Sequence, residues 1–408
     1  MRYNGIYLAG GDKDAGKTTL SLGLVAHFKK RLPGGAAFIK PLGQKTTLLD
    51  GTYVGQDSYL LDRALDLGIS LDHSAPFAAS SGAAKNYITS GEPADILKRV
   101  KKAYRKLESQ YDMVVVEGTG HPGVGSVFDL SNGRVANQLG TPVILILDGG
   151  IGSTIDRFTL CASLFRQERV RIAGVVLNRI LPAKMDQVKE ILTPWFDKQR
   201  IPILGFIPYH RPLVNPSLGV LQRDLKAEAV FVGDGGLNSL VNGYVSAFGS
   251  TDEVLQQLSS NPGSALVVSA SRNDVIDAII ARQFSGEFSG APKAVILCGK
   301  PAANGVGIRY VADACKKMEL PLFWTEKPAC KTSSRLQSKI FKVEPDESVK
   351  IDEIVSLVEK HVDTDRIMEI LNPTTSVKPV KRSRGGVFQF LGSPGRLLSK
   401  IFRRRKKK

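Results

Sequence analysis

The sequence predicts an α/β protein: a mostly parallel sheet with helices on both faces, then a smaller α/β domain and a basic tail. Three observations lead there. Over the first two hundred residues, short runs rich in Val and Ile and apolar on both faces alternate with helical patterns. Such alternation is the signature of a doubly wound sheet. A glycine-rich turn closes the first apolar run and opens the first helical pattern. The same alternation returns on a smaller scale beyond residue 236.

Taken in order, GIYLAG, AAFIKP, MVVVEG, PVILILDG, RIAGVVLN and IPILGFIP read as buried parallel strands, bounded by Gly, Pro or Asp. Helical patterns lie between them at 18–31, 92–110, 154–167 and 183–196. HRPLVNPSLG breaks the pattern and GDGG marks turns, so 211–236 reads as a linker. SALVVSA, KAVILCG and LPLFWT then read as strands, with helices at 273–283, 306–318 and 349–361. The expected domains are 1–210 and 237–371, followed by a mobile tail from 372 to 408.

Composition narrows the class. The 408 residues suffice for two or three domains, and 42% hydrophobic with 23% charged residues is ordinary for a soluble protein. No apolar run reaches 18 residues, and MRYNGIYLAGGDK is interrupted by Gly and Asp too soon for a signal peptide. A cytoplasmic protein is expected. Four scattered cysteines without C-x-x-C, and five histidines without H-x-x-x-H, argue against a disulfide framework or a zinc site. Of the net charge of +17, twelve units lie in the tail, which has no Asp or Glu, leaving +5 on the first 371 residues. Within 396–408, Leu397, Leu398, Ile401 and Phe402 share a helical face beside Arg396, Lys400 and the terminal basic run. That favours an anionic membrane surface, with an acidic partner or a plain solvated tail as alternatives.

The strongest local signal is LAGGDKDAGKTTLSLGL. Gly11, Asp12, Lys13, Asp14, Ala15, Gly16, Lys17 and Thr18, followed by Thr19, satisfy G-x-x-x-x-G-K-[ST] between an apolar run and a helical pattern. This is a phosphate-binding loop of the P-loop NTPase type. Glycines let backbone N–H groups converge on phosphate oxygens, and the helix N-terminus adds orphan donors and its dipole. Lys17 is placed to bridge the β- and γ-phosphates and Thr18 to ligate Mg²⁺. ATP and Mg²⁺ are the expected cofactors. Asp12 and Asp14 are odd beside some four negative charges, unless they point elsewhere or cap the following turn. Glu117 ends the strand MVVVE and is a candidate metal carboxylate, as is Asp57 in GQDSYLL. Lys40, at the end of a second strand, suits charge developing on a transferred phosphoryl group. Gly118 to Gly123 matches G-x-G-x-x-G, but Pro122 and the following glycines spoil the helix a dinucleotide needs, so a flexible loop over the metal is expected.

The loop pattern G-x-D-x-[DE]-x-G-K-T resembles that of dethiobiotin synthetase. VVVEGTGHPGVGSVFDLSNGRVANQLGTPVILILDGGIGSTID, GVVLNRILPAKM and ILGFIPYHRPL resemble the dethiobiotin-synthetase-like module that opens long-form phosphotransacetylases. The resemblance covers about the first 210 residues. It implies that Lys40, Asp57 and Glu117 line nucleotide and metal, that Asn178 reads the adenine edge, and that Pro208 walls the base. ALVVSASRNDVIDAIIA, AVILCGKPA and VEPDESVKIDEIVSLVEKHVDTDRI resemble the DRTGG domain of the same proteins. The signature itself departs: Ser271-Arg272 replaces Asp-Arg, and Cys298-Gly299-Lys300 replaces Thr-Gly-Gly. No acetyltransferase domain is read in the sequence, so phosphate acetyl transfer is not expected of it alone.

Three functions follow as expectations. One is a nucleotide-dependent regulatory or sensor module of metabolism. The second is an ATP-dependent ligase of the dethiobiotin synthetase or cobyrinic acid a,c-diamide synthase class, acting on a small carboxylate or amine, with Lys17 and Lys40 carrying charge. The third is a membrane-surface cycling ATPase, peripheral through its tail. Related modules form homo-oligomers.

Overall fold

The computed structural model describes residues 5–44, 46–49, 52–79, 82–90, 95–285, 290–300 and 306–372. The tail expected to reach a membrane, including Leu397, Leu398, Ile401 and Phe402, lies outside the described residues, as does Glu92.

Six parallel strands form the first sheet: β1 (Ile6–Gly10), β2 (Ala36–Ile39), β5 (Met113–Glu117), β6 (Val143–Asp148), β7 (Ile172–Ile180) and β8 (Ile203–Pro208), in the order β2-β5-β1-β6-β7-β8. Each of the six predicted apolar runs supplies one strand. Alternation along each strand divides the core. Ile6, Leu8, Phe38, Val115 and Ile144 face one side, whereas Tyr7, Ala9, Ile39, Val116 and Leu145 face the other. The first side is covered by the helix Lys17–Arg31, the second by helices Ile96–Gln110, Gly152–Gln167 and Met185–Lys198. Both faces are dry, which is why the strands carry no polar alternation.

Between β2 and β5 a short antiparallel hairpin, β3 (Thr46–Leu49) with β4 (Thr52–Gly55), leads into the helix Gln56–Leu65. It delivers Asp57 to the edge of the sheet where β1 and β2 end.

A second sheet runs β10 (Tyr244–Ser246), β11 (Ala265–Ser269), β12 (Ala294–Cys298), β13 (Leu322–Thr325) and β9 (Glu228–Phe231), with only β9 antiparallel. The predicted runs SALVVSA, KAVILCG and LPLFWT each supply a strand, at 265–269, 294–298 and 322–325. The segment 211–236 is more structured than its turn residues imply. Leu218, Val220, Leu221 and Leu225 make an apolar face, so the helix Leu218–Leu225 buries itself in the second core and β9 closes that sheet. The helix Ser348–His361 departs from expectation in the other direction. It follows the second sheet in sequence but packs on the first, with Ile354, Val358 and Val362 in the core beneath the helix Lys17–Arg31. Asp363 N–H donates to Leu204 O at 2.7 Å and fixes that return.

Cys161, Cys298 and Cys315 are buried thiols, and burial pushes Cys161 up to about 11. Cys330 is exposed. Among the described residues, no helix is long and apolar enough to cross a membrane.

Candidate nucleotide-binding site

The carboxyl ends of parallel strands share one edge of a sheet, and ligands bind there. At this edge β1 turns through residues 11–16 into the helix Lys17–Arg31. Gly16 has φ +98°, and a Cβ on it would stand 2.0 Å from Asn178 Nδ2. Glycine is therefore required both for the left-handed backbone and for the approach of β7. No side chain caps the helix, and its first turn carries no acid, so its leading N–H groups are available to an anion.

Of the two loop aspartates, Asp12 is tied to a neighbouring helix, whereas Asp14 lines the cleft beside Lys17. Asp12 meets Arg157 of the helix Gly152–Gln167 at 3.0 Å and accepts from Lys13 N at 2.7 Å. Asp14 is exposed and adopts φ +58°. The repulsion anticipated at Asp12 is offset by the guanidinium. Lys17 is 8% exposed and donates to Asp12 O at 3.3 Å. Burial lowers its pKa, against the opposing pull of the Glu117 carboxylate.

A chain of charges runs beneath the loop. Glu117, fully buried, accepts from Ser21 Oγ at 2.8 Å, from Thr18 Oγ1 at 3.0 Å and from Lys40 Nζ at 2.7 Å. Lys40 also donates to Asp57 Oδ2 at 2.5 Å. Burial alone would lower the Lys40 pKa, but Glu117 and Asp57 together hold it above its usual value. Burial would likewise raise Asp57, yet Lys40 and Lys342 hold it well below the carboxylate range. The structure thus brings Lys17, Thr18, Lys40, Asp57 and Glu117, singled out separately in the sequence, into one cluster.

The donors suit Mg²⁺ rather than a softer metal: two carboxylates and a hydroxyl, with room for phosphate oxygens and water. Among the described residues no group of three His, Cys, Asp or Glu could hold a metal. A magnesium ion that shares its shell with phosphates does not need one.

Asn178 is 6% exposed, donates from Nδ2 to Ala15 O at 2.9 Å, and accepts from Arg179 N. Its amide thus braces the loop. Pro208 lines the same cleft, of about 400 Å³, with Lys13, Gly16, Thr19 and Tyr209. The loop after β5, expected to be flexible, is pinned. Buried Asn132 donates to Thr119 O at 2.8 Å and His121 O at 2.7 Å, and accepts from Thr119 N and Tyr7 Oη. Arg272, in the turn after β11, is engaged by Asp274 and by the Ala247 and Gly249 carbonyls.

Sequence reasoning missed Arg157, Asn132 and the segment 339–343, which lines the far wall of the cleft. Lys342 Nζ lies 2.8 Å from Asp57 Oδ1. No motif marks it, and 285 positions separate the pair.

The sequence model described as an AAA domain matches residues 4–217, more than half of the chain. The chain belongs to that AAA family. The matched span holds the loop, Lys40, Asp57, Glu117, Asn178 and Pro208, but not Lys342. Among curated relatives of the AAA chain, phosphate acetyltransferase of Nitratidesulfovibrio vulgaris is 24% identical over 371 residues, covering 89% of this chain and 51% of that protein. The chain therefore spans about half the length of the phosphate acetyltransferases it matches. ATP-dependent dethiobiotin synthetase of Aromatoleum aromaticum is 29% identical over 208 residues, covering 50% of this chain and 89% of the relative. Cobyrinic acid a,c-diamide synthase of Mycobacterium smegmatis, solved with bound ADP and magnesium, covers 51% of this chain and 87% of its own, at 15% identity and TM-score 0.35.

Proposed function

We propose that the AAA domain of this chain binds ATP with Mg²⁺ on residues 11–19 and acts as a nucleotide-dependent regulatory module of metabolism. The observation that carries this reading is the shared cluster: Thr18, Glu117, Lys40 and Asp57 form one hydrogen-bonded chain under the loop, and Lys342 from the C-terminal half ends it. A nucleotide seated there meets both halves of the protein. When bound, Mg²⁺ would neutralise β- and γ-phosphate charge. Thr18, Asp57 and Glu117 are the residues to hold it, Lys17 reaches the terminal phosphates, and Asn178 and Pro208 border the base. The second sheet is proposed as the DRTGG-type domain that reads the nucleotide state. Phosphate acetyl transfer is not part of the proposal.

A ligase is the second reading, supported by the dethiobiotin synthetase relative. There a small carboxylate or carbamate would attack the γ-phosphate, with Lys17 and Lys40 stabilising the developing charge. A third reading, ATP-driven cycling at an anionic membrane through 396–408, rests on the tail composition alone.

Calorimetry with ATP, with and without MgCl₂, on the full chain and on Lys17→Ala tests the first claim. Magnesium-requiring uptake by wild type and its loss in the variant are expected; absence of uptake by folded wild type removes the proposal. ADP release measured across small carboxylates and diamines separates the readings. Stimulation by one such compound favours the ligase, whereas stimulation by anionic vesicles favours the cycling ATPase. The regulatory reading expects neither.

A further inference from the structure

The segment 339–343 joins the helix Ala329–Ser338, which packs in the second core, to the helix Ser348–His361, which packs in the first. Its anchors alternate between the two. Lys339 ion-pairs with Asp224 on the helix Leu218–Leu225 and lies over the Phe341 ring. Phe341 is buried in the second core, while Val343 packs against the first. Lys342, between them, crosses to Asp57. The strap is thus fastened to both cores and, by one side chain, to the candidate metal carboxylate.

Both oxygens of Asp57 are taken by ammonium groups, Oδ2 by Lys40 and Oδ1 by Lys342. A divalent cation that uses Asp57, directly or through water, competes with both ammonium groups for that carboxylate. Lys40 is the harder to move. Its side chain is 8% exposed and is held by Glu117 as well. The Lys342 side chain is 28% exposed, so water can take up its charge when it lets go.

We propose that Lys342 is a positioning residue of the nucleotide site: it holds the Asp57 carboxylate until Mg²⁺ arrives, then yields it, and in yielding releases one of the strap's anchors. The occupancy of the metal is thereby passed to the segment that links the two sheets. This rests on the nucleotide reading above and names its regulation. Asp57 sits within the AAA match, whereas the competing cation comes from outside it, so a core of this family alone would lack the competition.

The test is ATP uptake titrated with MgCl₂ on the full chain, comparing wild type with Lys342→Met and Lys342→Arg. Loss of the competing charge lowers the half-saturating Mg²⁺ about threefold or more in Lys342→Met, and arginine restores the wild-type value. An unchanged or raised requirement in Lys342→Met overturns the proposal. Should the methionine variant fold poorly, amide exchange of the wild type decides. Exchange across 340–343 is expected to be faster with ATP and Mg²⁺ than with ATP and EDTA. Equal rates with ATP bound in both samples overturn the coupling. Failure of wild type to take up ATP under any condition instead overturns the nucleotide reading itself.

Discussion

Gly23 of the loop helix lies directly against Val358 of the helix Ser348–His361: a Cβ on the glycine would stand 2.3 Å from the Val358 Cβ. The helix that begins at the phosphate loop is thus the floor on which the helix Ser348–His361 rests. Gly23→Ala gains up to about 1 kcal/mol of helix propensity. It loses more, about 1–3 kcal/mol, to overpacking against a backbone-proximal atom that cannot swing away. A net fall in the urea midpoint is expected; a neutral or stabilised variant would contradict the packing.

Arg157 is expected to matter for nucleotide binding without touching the nucleotide. Its partner Asp12 is about half exposed, as Arg157 is, so the pair contributes only about 0.2–1 kcal/mol. Arg157→Ala leaves the Asp12 carboxylate unscreened beside the phosphates. ATP affinity measured by calorimetry should fall by a small factor, up to about fivefold at low salt. Asp12→Asn in the same chain should restore it. Failure of the double variant to recover affinity would mean that Asp12 has another role.

Asp57 gives a pH dependence of known sign. Its folded-state pKa is depressed, because Lys40 and Lys342 outweigh burial. Its stabilising contribution is therefore complete above the unfolded carboxylate pKa of about 4 and is lost as pH falls below that value towards the folded one. Asp57→Asn should cost about 3 kcal/mol at pH 7, as expected when a buried pair loses one partner. The gap from wild type, read from urea melts, should narrow steadily between pH 4 and strongly acid conditions, near the unfolded pKa of about 4 and below. A gap constant with pH would mean that the carboxylate is not held by these lysines.

Asn132 holds the loop that follows Glu117. Asn132→Ala leaves the Tyr7 hydroxyl and the Thr119 N–H, both buried, without their acceptor. A loss of about 2–6 kcal/mol is expected at about 1–3 kcal/mol for each stranded group. Tyr7→Phe, which removes one bond and strands little, should cost about 1 kcal/mol. Faster amide exchange confined to 118–124 in Asn132→Ala would identify the loop as the part released. Equal costs for the two variants would contradict this division.

The sequence by itself determined the parallel strands of the first sheet, the phosphate loop, and the candidacy of Lys40, Asp57 and Glu117. Lys40 and Glu117 follow from local rules. Strand ends in a parallel sheet all reach one edge, so charged residues that terminate β2 and β5 must arrive beside the loop that terminates β1. Less was legible in the helices. Those at Gln56–Leu65, Leu218–Leu225 and Ala329–Ser338 are short, and each buries only three to five positions, several of them polar, too few apolar ones to stand out as a period. Only the tertiary structure decided that Arg157 screens Asp12, that Asn132 braces the loop after β5, that the helix Ser348–His361 returns to the first sheet, and that Lys342 reaches Asp57. Arg157 with Asp12 and Lys342 with Asp57 join residues far apart in the chain through side chains that carry no pattern of their own. Such a pairing is set by where two packed layers happen to meet, and no periodicity along a single segment encodes it.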